Sequence, residues 1–322
     1  MFMSIRTFTS CLLVFALLVG CKEFPKSYYK TPDYITKATG KNLDYFKAYD
    51  DVLSIWDVDY EEIYVPTTYG TAHVIVSGPE DGDPLVLLHG MTASSTMWYP
   101  NAKALAKNHR IYAIDLIIEP GKSHLTKEIN DVDYLLAWYH ELFNTLKLKD
   151  FSLIGVSRGG WIATGIALQK QDNIKSLILL SPAQTLIWIP PSQDLLKNII
   201  FQFSSDEKKM RQTFESMSYD PSKIDERYLK QNYLGSQLDS INKFVISMQP
   251  FNDEELSAIK VPTLLLIGDD DIINNEKSIR FAKKTFPNVS TKVIPQAGHF
   301  LSVDQPEKVN QAILDFLGSL DH

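Results

Sequence analysis

The order of apolar segments along the chain predicts an α/β fold, a mostly parallel, eight-stranded sheet with helices on both faces. Three observations carry this expectation. Short apolar runs of strand type alternate with longer segments of helical period over most of the chain, and crossover connections turn such alternation into parallel neighbours. One strand-like run ends in Gly155-Val156-Ser157-Arg158-Gly159 and passes directly into a helical segment, so a serine stands between two glycines at a strand-to-helix turn. The strand rhythm then lapses between 184 and 252, where aromatic residues and methionines recur mostly at helical spacings.

Taken in order, the first element is an amphipathic helix over 42–56, with Leu43, Phe46, Tyr49, Leu53 and Trp56 three and four residues apart. Strands are expected at 61–68, 71–77, 85–88 and 111–116, then a helix at 132–146. The strand 151–154 leads into the Gly-Ser-Gly turn, a helix follows at 160–168, and a sixth strand lies at 176–180. Residues 184–252 read as a helical cap inserted between strands six and seven, with Pro190-Pro191 as its hinge. Most of its large residues, among them Trp188, Phe201, Phe203, Met210, Phe214, Met217, Tyr228, Phe244 and Met248, bury the cap; a minority should line an apolar pocket. Strands at 263–267 and 291–294 complete the sheet. The core is thus split into 42–183 and 253–322, and residues 21–41, low in aliphatics, read as a tether.

Ser157 is the most informative residue. A serine between glycines at a strand-to-helix turn is the pattern of the nucleophile elbow. The turn strains the serine backbone and projects its hydroxyl clear of the sheet, while glycines lacking Cβ let strand and helix close on each other. With this motif go Thr71 to Asp81, Pro84 to Gly90, Ser94-Ser95-Thr96-Met97-Trp98-Tyr99-Pro100-Asn101, Leu180-Ser181-Pro182-Ala183 and Ala297-Gly298-His299. On these segments the chain, from about residue 61 onward, resembles the α/β-hydrolase superfamily of serine esterases. Within it the chain is most similar to bacterial carboxylesterases of the carboxylesterase NP type.

The resemblance implies hydrolysis of carboxylic esters with no metal and no organic cofactor, by a nucleophile, an acid and a histidine in that chain order. Only His299 and His322 follow every plausible acid, and His322 is the last residue, so His299 is the expected base. The strand at 263–267 ends in Gly268-Asp269-Asp270-Asp271, where three carboxylates compete; the family's spacing from the glycine selects Asp271. The oxyanion hole is expected from the backbone N–H groups of Arg158, which follows the nucleophile, and Met91, in the loop after the third strand. His89, beside Gly90, reads as a hydrogen-bonded structural residue. Arg158 departs from the Leu, Met or Gln more usual in the family, and Asp115-Leu116 lacks the usual Arg-Gly-His-Gly continuation. Two roles fit the Arg158 side chain: pairing with a carboxylate such as Asp115 or a spare acid after Gly268, or standing at the pocket rim to favour anionic substrates.

The N-terminus predicts a second feature. Arg6 precedes the apolar run Cys11 to Val19, which is shorter than the roughly 20 residues of a spanning helix and of the length of a signal-peptide core. Leu18-Val19-Gly20-Cys21 resembles a bacterial lipobox, which implies a lipoprotein signal peptide over 1–20, lipid on Cys21 and an extracytoplasmic, membrane-anchored protein. Cleavage there removes Cys11, leaving no intramolecular disulfide to be made.

Composition bounds what remains. A chain of 322 residues, 44 % hydrophobic, suffices for one large domain with an insertion. Its formal charge of −7 is spread without a basic face, which argues against nucleic acid as a partner. The same triad also serves thioesters, lactones and amides, because they share a tetrahedral intermediate. A non-catalytic ligand-binding lipoprotein is the alternative of a different class, and an intact Ser157, Asp271 and His299 speaks against it. The partner expected is a small ester.

Overall fold

The computed structural model describes residues 24–189, 206–238 and 248–320. Cys21, the signal segment, the Pro190-Pro191 hinge, Phe201, Phe203 and Phe244 lie outside the described residues.

The sheet contains β1 (Tyr60–Thr67), β2 (Gly70–Ser77), β3 (Asp83–Leu88), β4 (His109–Ile114), β5 (His124–Leu125), β6 (Phe151–Val156), β7 (Ile174–Leu180), β8 (Thr263–Gly268) and β9 (Val289–Ile294). Its order is β1-β2-β4-β3-β6-β7-β8-β9, with β5 pairing off this path onto β2. β2 runs antiparallel to β1 and β4, and all pairs from β4 to β9 are parallel. The expected eight strands are all present. The two-residue β5 is additional, because a strand of that length carries no periodicity to read. The cap insertion therefore falls between β7 and β8 in this numbering.

The central strands are buried on both faces, as parallel sheets require. Alternate residues of β3 divide between two cores: Val86 and Leu88 face one, Leu85 and Leu87 the other. The first core is covered by α2 (Val132–Thr145), α3 (Arg158–Gln169), α6 (Asp253–Ala258) and α7 (Glu276–Thr285). The second is covered by α1 (Gly40–Leu53), α8 (Pro306–Gly318) and the described cap helices α4 (Glu207–Met217) and α5 (Glu226–Ser236). On α1 the buried face is Tyr45, Ala48, Tyr49, Val52 and Leu53. Leu43, expected on that face, is only half-buried, because the stripe that packs inward runs through Tyr45, Ala48, Tyr49 and Val52 and leaves Leu43 at its edge.

Residues 24–36 differ from the expected loose tether. Lys26–Tyr29 and Asp33–Thr36 form short helical turns. Phe24 and Tyr28 pack on the first core, and Tyr34 stacks on His124 at 4.4 Å while donating to the Lys122 carbonyl. These aromatics supply the apolar area that aliphatic residues would otherwise provide.

α1 is locked to the sheet by a buried charged network. His73 on β2 is fully buried, with Nδ1 2.8 Å from Asp115 Oδ2 and Nε2 2.9 Å from Glu62 Oε2. Both ring nitrogens face carboxylates, so both donate and the ring is an imidazolium. Asp115 also accepts from the Tyr49 hydroxyl and from the N–H groups of Ser95 and Lys122. Lys122 Nζ closes the network onto Asp50 at 2.6 Å and Glu62 at 2.5 Å.

The strand order reverses between β3 and β6. Chain segments leaving the C-terminal ends of these two strands therefore diverge and open a crevice, the place where ligands bind in such sheets. The loop after β3 begins at His89, and the turn after β6 holds Ser157.

Candidate active site

Ser157 sits between β6 and α3 with φ +51° and ψ −119°, a region that non-glycine residues rarely adopt. Its N–H donates to the Leu180 carbonyl at 2.9 Å, and its own carbonyl accepts from Gly160 and Ala183. The flanking glycines are required sterically. A Cβ on Gly155 would lie 2.2 Å from the Gly159 oxygen, and one on Gly159 2.5 Å from the Leu88 and His89 oxygens.

His299 follows β9 and is buried, with Nε2 2.9 Å from Ser157 Oγ and Nδ1 3.0 Å from Asp271 Oδ1. Asp271 is held by the Ile273 N–H at 2.9 Å and the Asn274 amide at 3.1 Å. Burial alone would raise the Asp271 pKa, but His299 and the Ile273 N–H hold it below the ordinary carboxylate value. The two competing acids are placed elsewhere: Asp269 accepts from the Ala297 N–H, and Asp270 is exposed. Ser157, His299 and Asp271 thus form one continuous hydrogen-bonded line.

The loop after β3 approaches from the other side. A methyl on Gly90 would stand 3.6 Å from Ser157 Cβ. His89 is buried; its Nε2 accepts from the Leu116 N–H at 2.9 Å, so the proton is on Nδ1, 2.8 Å from the Gly90 carbonyl. Burial lowers the pKa of His89 and keeps it neutral. In a trans peptide the carbonyl and the next N–H point in opposite directions, so pinning the Gly90 oxygen also aims the Met91 N–H. Met91 and Arg158 both line the crevice, and among the described residues neither backbone N–H is taken by another group.

The Arg158 side chain takes the first of the two expected roles, pairing with a carboxylate, but with a partner the sequence did not single out. It is buried, not at a rim, and Nη1 pairs with Glu119 Oε1 rather than with Asp115 or the acids after Gly268. Asp115 is already occupied by the His73 network. Glu119, missed in the sequence, lies in the turn after β4; an acid between Ile118 and Pro120 was the available signal.

Asp304 was also missed. It is fully buried and accepts from the N–H of Gly298, directly before His299, at 2.8 Å, and from Ser218 Oγ and the Tyr219 N–H. The His299 N–H in turn donates to the Met217 carbonyl at 2.8 Å. The C-terminal end of α4 therefore holds the histidine loop. An acid directly after Leu301-Ser302-Val303, at the end of a mainly apolar run, was its only trace in the sequence.

The crevice is apolar. Met91, Met97, Met217 and Met248 bring thioethers to it, with Phe214 and Phe300 stacked at 5.2 Å. Among the described residues Thr213, Gln184, Asn232 and Tyr228 bring polar groups to it away from Ser157. Among the described residues no three His, Cys, Asp or Glu side chains are grouped to hold a metal ion.

The fold, the strained serine and the hydrogen-bonded line behind it define a hydrolase. The chain belongs to the alpha/beta hydrolase family, which it matches over residues 85–312. It is 33% identical over 297 residues to the uncharacterized carboxylesterase nap of Bacillus subtilis (strain 168), covering 88% of this chain and 96% of that one. Carboxylesterase YbfK of the same organism is 30% identical over 292 residues, covering 87% and 95%. The crystal structure of naproxen esterase (carboxylesterase NP) from Bacillus subtilis superposes with a TM-score of 0.81 at 32% identity, covering 87% of this chain and 99% of that one.

Proposed function

We propose that the protein is a serine hydrolase of carboxylic esters that works through an acyl-enzyme on Ser157. The observation that carries this reading is the unbroken line from Ser157 Oγ through His299 to Asp271, with spacings of 2.9 and 3.0 Å, at the mouth of an apolar crevice. Relatives named as carboxylesterases support it.

In this mechanism Ser157 Oγ attacks the ester carbonyl carbon while His299 Nε2 takes the hydroxyl proton. Asp271 keeps the Nδ1 proton in place and stabilises the imidazolium. Negative charge moves onto the carbonyl oxygen, toward the N–H groups of Met91 and Arg158 at the positive end of α3. Collapse breaks the bond to the alcohol, which leaves with the proton from His299. Water, deprotonated by His299, then attacks the acyl-enzyme and releases the acid and the free serine. The thioether-rich crevice suits esters with an apolar acyl or alcohol part, since Met side chains adapt to irregular shapes.

A fluorophosphonate probe tests this directly. Stoichiometric attachment to the Ser157 peptide, abolished by Ser157→Ala, together with turnover of p-nitrophenyl esters, is the expected result. An unlabelled Ser157 in folded protein would sink the reading.

We further propose that Cys21 carries a lipid and anchors the protein outside the cytoplasm, on the lipobox-like Leu18-Val19-Gly20-Cys21. Full-length protein should fractionate with membranes, and Cys21→Ser should release it from lipid modification. Mass spectrometry showing an unmodified mature N-terminus downstream of Cys21 would refute the anchor.

A further inference from the structure

Glu119 and Arg158 are a charged pair that the triad chemistry does not use. Their side chains are 2% and 3% exposed. Two opposite charges taken this far out of water are tolerated only in mutual contact. The pair is not isolated: while Glu119 Oε1 meets Arg158 Nη1, Glu119 Oε2 accepts from the Thr92 N–H at 2.9 Å. Thr92 directly follows Met91, and Arg158 directly follows Ser157. One carboxylate therefore joins the segment of Met91 and Thr92 to that of Ser157 and Arg158, and Met91 and Arg158 both line the crevice.

The loop it holds is strained. Thr92 has φ +52°, and a β-branched residue in this region persists only where its surroundings over-determine it. The Thr92 hydroxyl donates back to the Met91 carbonyl at 2.8 Å, and Glu119 takes its N–H. Glu119 itself comes from a fixed turn. Its N–H donates to the Leu116 carbonyl at 2.9 Å, and a Cβ on Gly121 would lie 2.8 Å from the Asp115 carboxyl carbon.

We propose that Glu119 and Arg158 form a clasp that sets the oxyanion hole, as positioning residues for the reaction inferred above, on which this proposal rests. A backbone donor has no rotamer of its own, so its aim depends on what holds the peptide plane. Glu119 holds the Met91–Thr92 side of the hole against the Arg158 side. Arg158 has a second task. A bare carboxylate behind the hole would repel the developing oxyanion, and the guanidinium cancels that charge. Both effects act where negative charge appears in the transition state and scarcely touch the neutral ester, so they bear on kcat rather than KM.

The test compares wild type with Glu119→Leu, Arg158→Leu and the double variant in the full chain, using a neutral p-nitrophenyl ester and an alkyl trifluoromethyl ketone that forms a tetrahedral adduct on serine. Each single variant should lose about tenfold to a hundredfold in kcat, with KM within about threefold. Affinity for the ketone should fall in parallel with kcat/KM. Arg158→Leu, which leaves the carboxylate uncompensated, should be the most impaired, and the double variant should recover part of that loss. The double variant carries no unpaired buried charge, so it keeps the test open if a single variant fails to fold. Folded variants with unchanged kcat and ketone affinity, or losses confined to melting temperature or KM, would overturn the clasp. Wild-type turnover and Ser157 labelling in the same assay separate the two proposals: normal wild-type values with unchanged variants remove the clasp alone, and their absence removes the esterase reading and the clasp with it.

Discussion

Replacing Ser157 or His299 with alanine is expected to lower kcat for ester hydrolysis by about 10⁴-fold or more, with a residual rate left by the oxyanion donors. The expectation follows from the line in which Ser157 Oγ lies 2.9 Å from His299 Nε2. Loss of either end removes the nucleophile or its base, and the two substitutions together should cost little more than one. Asp271→Asn should be nearly as damaging, because an amide can present its NH₂ to Nδ1 and stabilise the wrong tautomer. The same change at Asp269 or Asp270 should leave most activity intact, since neither carboxylate bonds to His299. Steady-state kinetics on one chromogenic ester decides the matter, and an Asp269→Asn variant more crippled than Asp271→Asn would reassign the acid.

The second large effect is on stability. Asp115→Ala should destabilise the fold by about 3–5 kcal/mol, the cost typical of breaking a buried ion pair from one side. It leaves the buried His73 ring without one of its two carboxylates and strips the Ser95 and Lys122 N–H groups of their acceptor. Urea denaturation measures it; a change below about 1 kcal/mol would mean that water replaces the carboxylate.

The network also gives stability a pH window. Burial alone would lower the His73 pKa, but Asp115 and Glu62 raise it above its ordinary 6.5. A raised histidine contributes fully below 6.5, and that contribution is lost as pH rises through the folded-state value. Burial alone would raise Glu62, yet His73 and Lys122 draw it down from 4.5 to about 2, so its contribution is present above 4.5 and lost as pH falls toward 2. Asp115 is drawn down in the same direction by His73. The network is thus strongest between about 4.5 and 6.5, and replacing Asp115 should flatten the decline of melting temperature on the alkaline side.

Much of the sheet was legible because the central strands are buried on both faces, so β3, β7 and β8 each carry four consecutive aliphatic residues and β6 a shorter run. Ser157 stood out because its turn imposes glycine on both sides, whereas Asp271 was separated from Asp269 and Asp270 only by the spacing that the family resemblance implies. Partnerships between distant charges left no such trace. Asp115, Glu119 and Asp304 read as ordinary acids along the chain, and only folding reveals that they meet His73, Arg158 and Gly298. The packing of residues 24–36 was hidden for another reason: it relies on Phe24, Tyr28 and Tyr34, spaced to no regular period.

That docked segment sets a stand-off distance for the proposed anchor. With Phe24 seated on the core, only Lys22 and Glu23 separate the folded body from Cys21. Three chain links span at most about 10 Å, a fraction of the roughly 30 Å depth of a bilayer's hydrocarbon. A lipid on Cys21 would hold the body against the headgroups like a boat on a short mooring, unable to swing out into bulk solvent. Its encounters would then be counted per unit of membrane area, favouring esters that partition into the lipid over those carried on large soluble molecules.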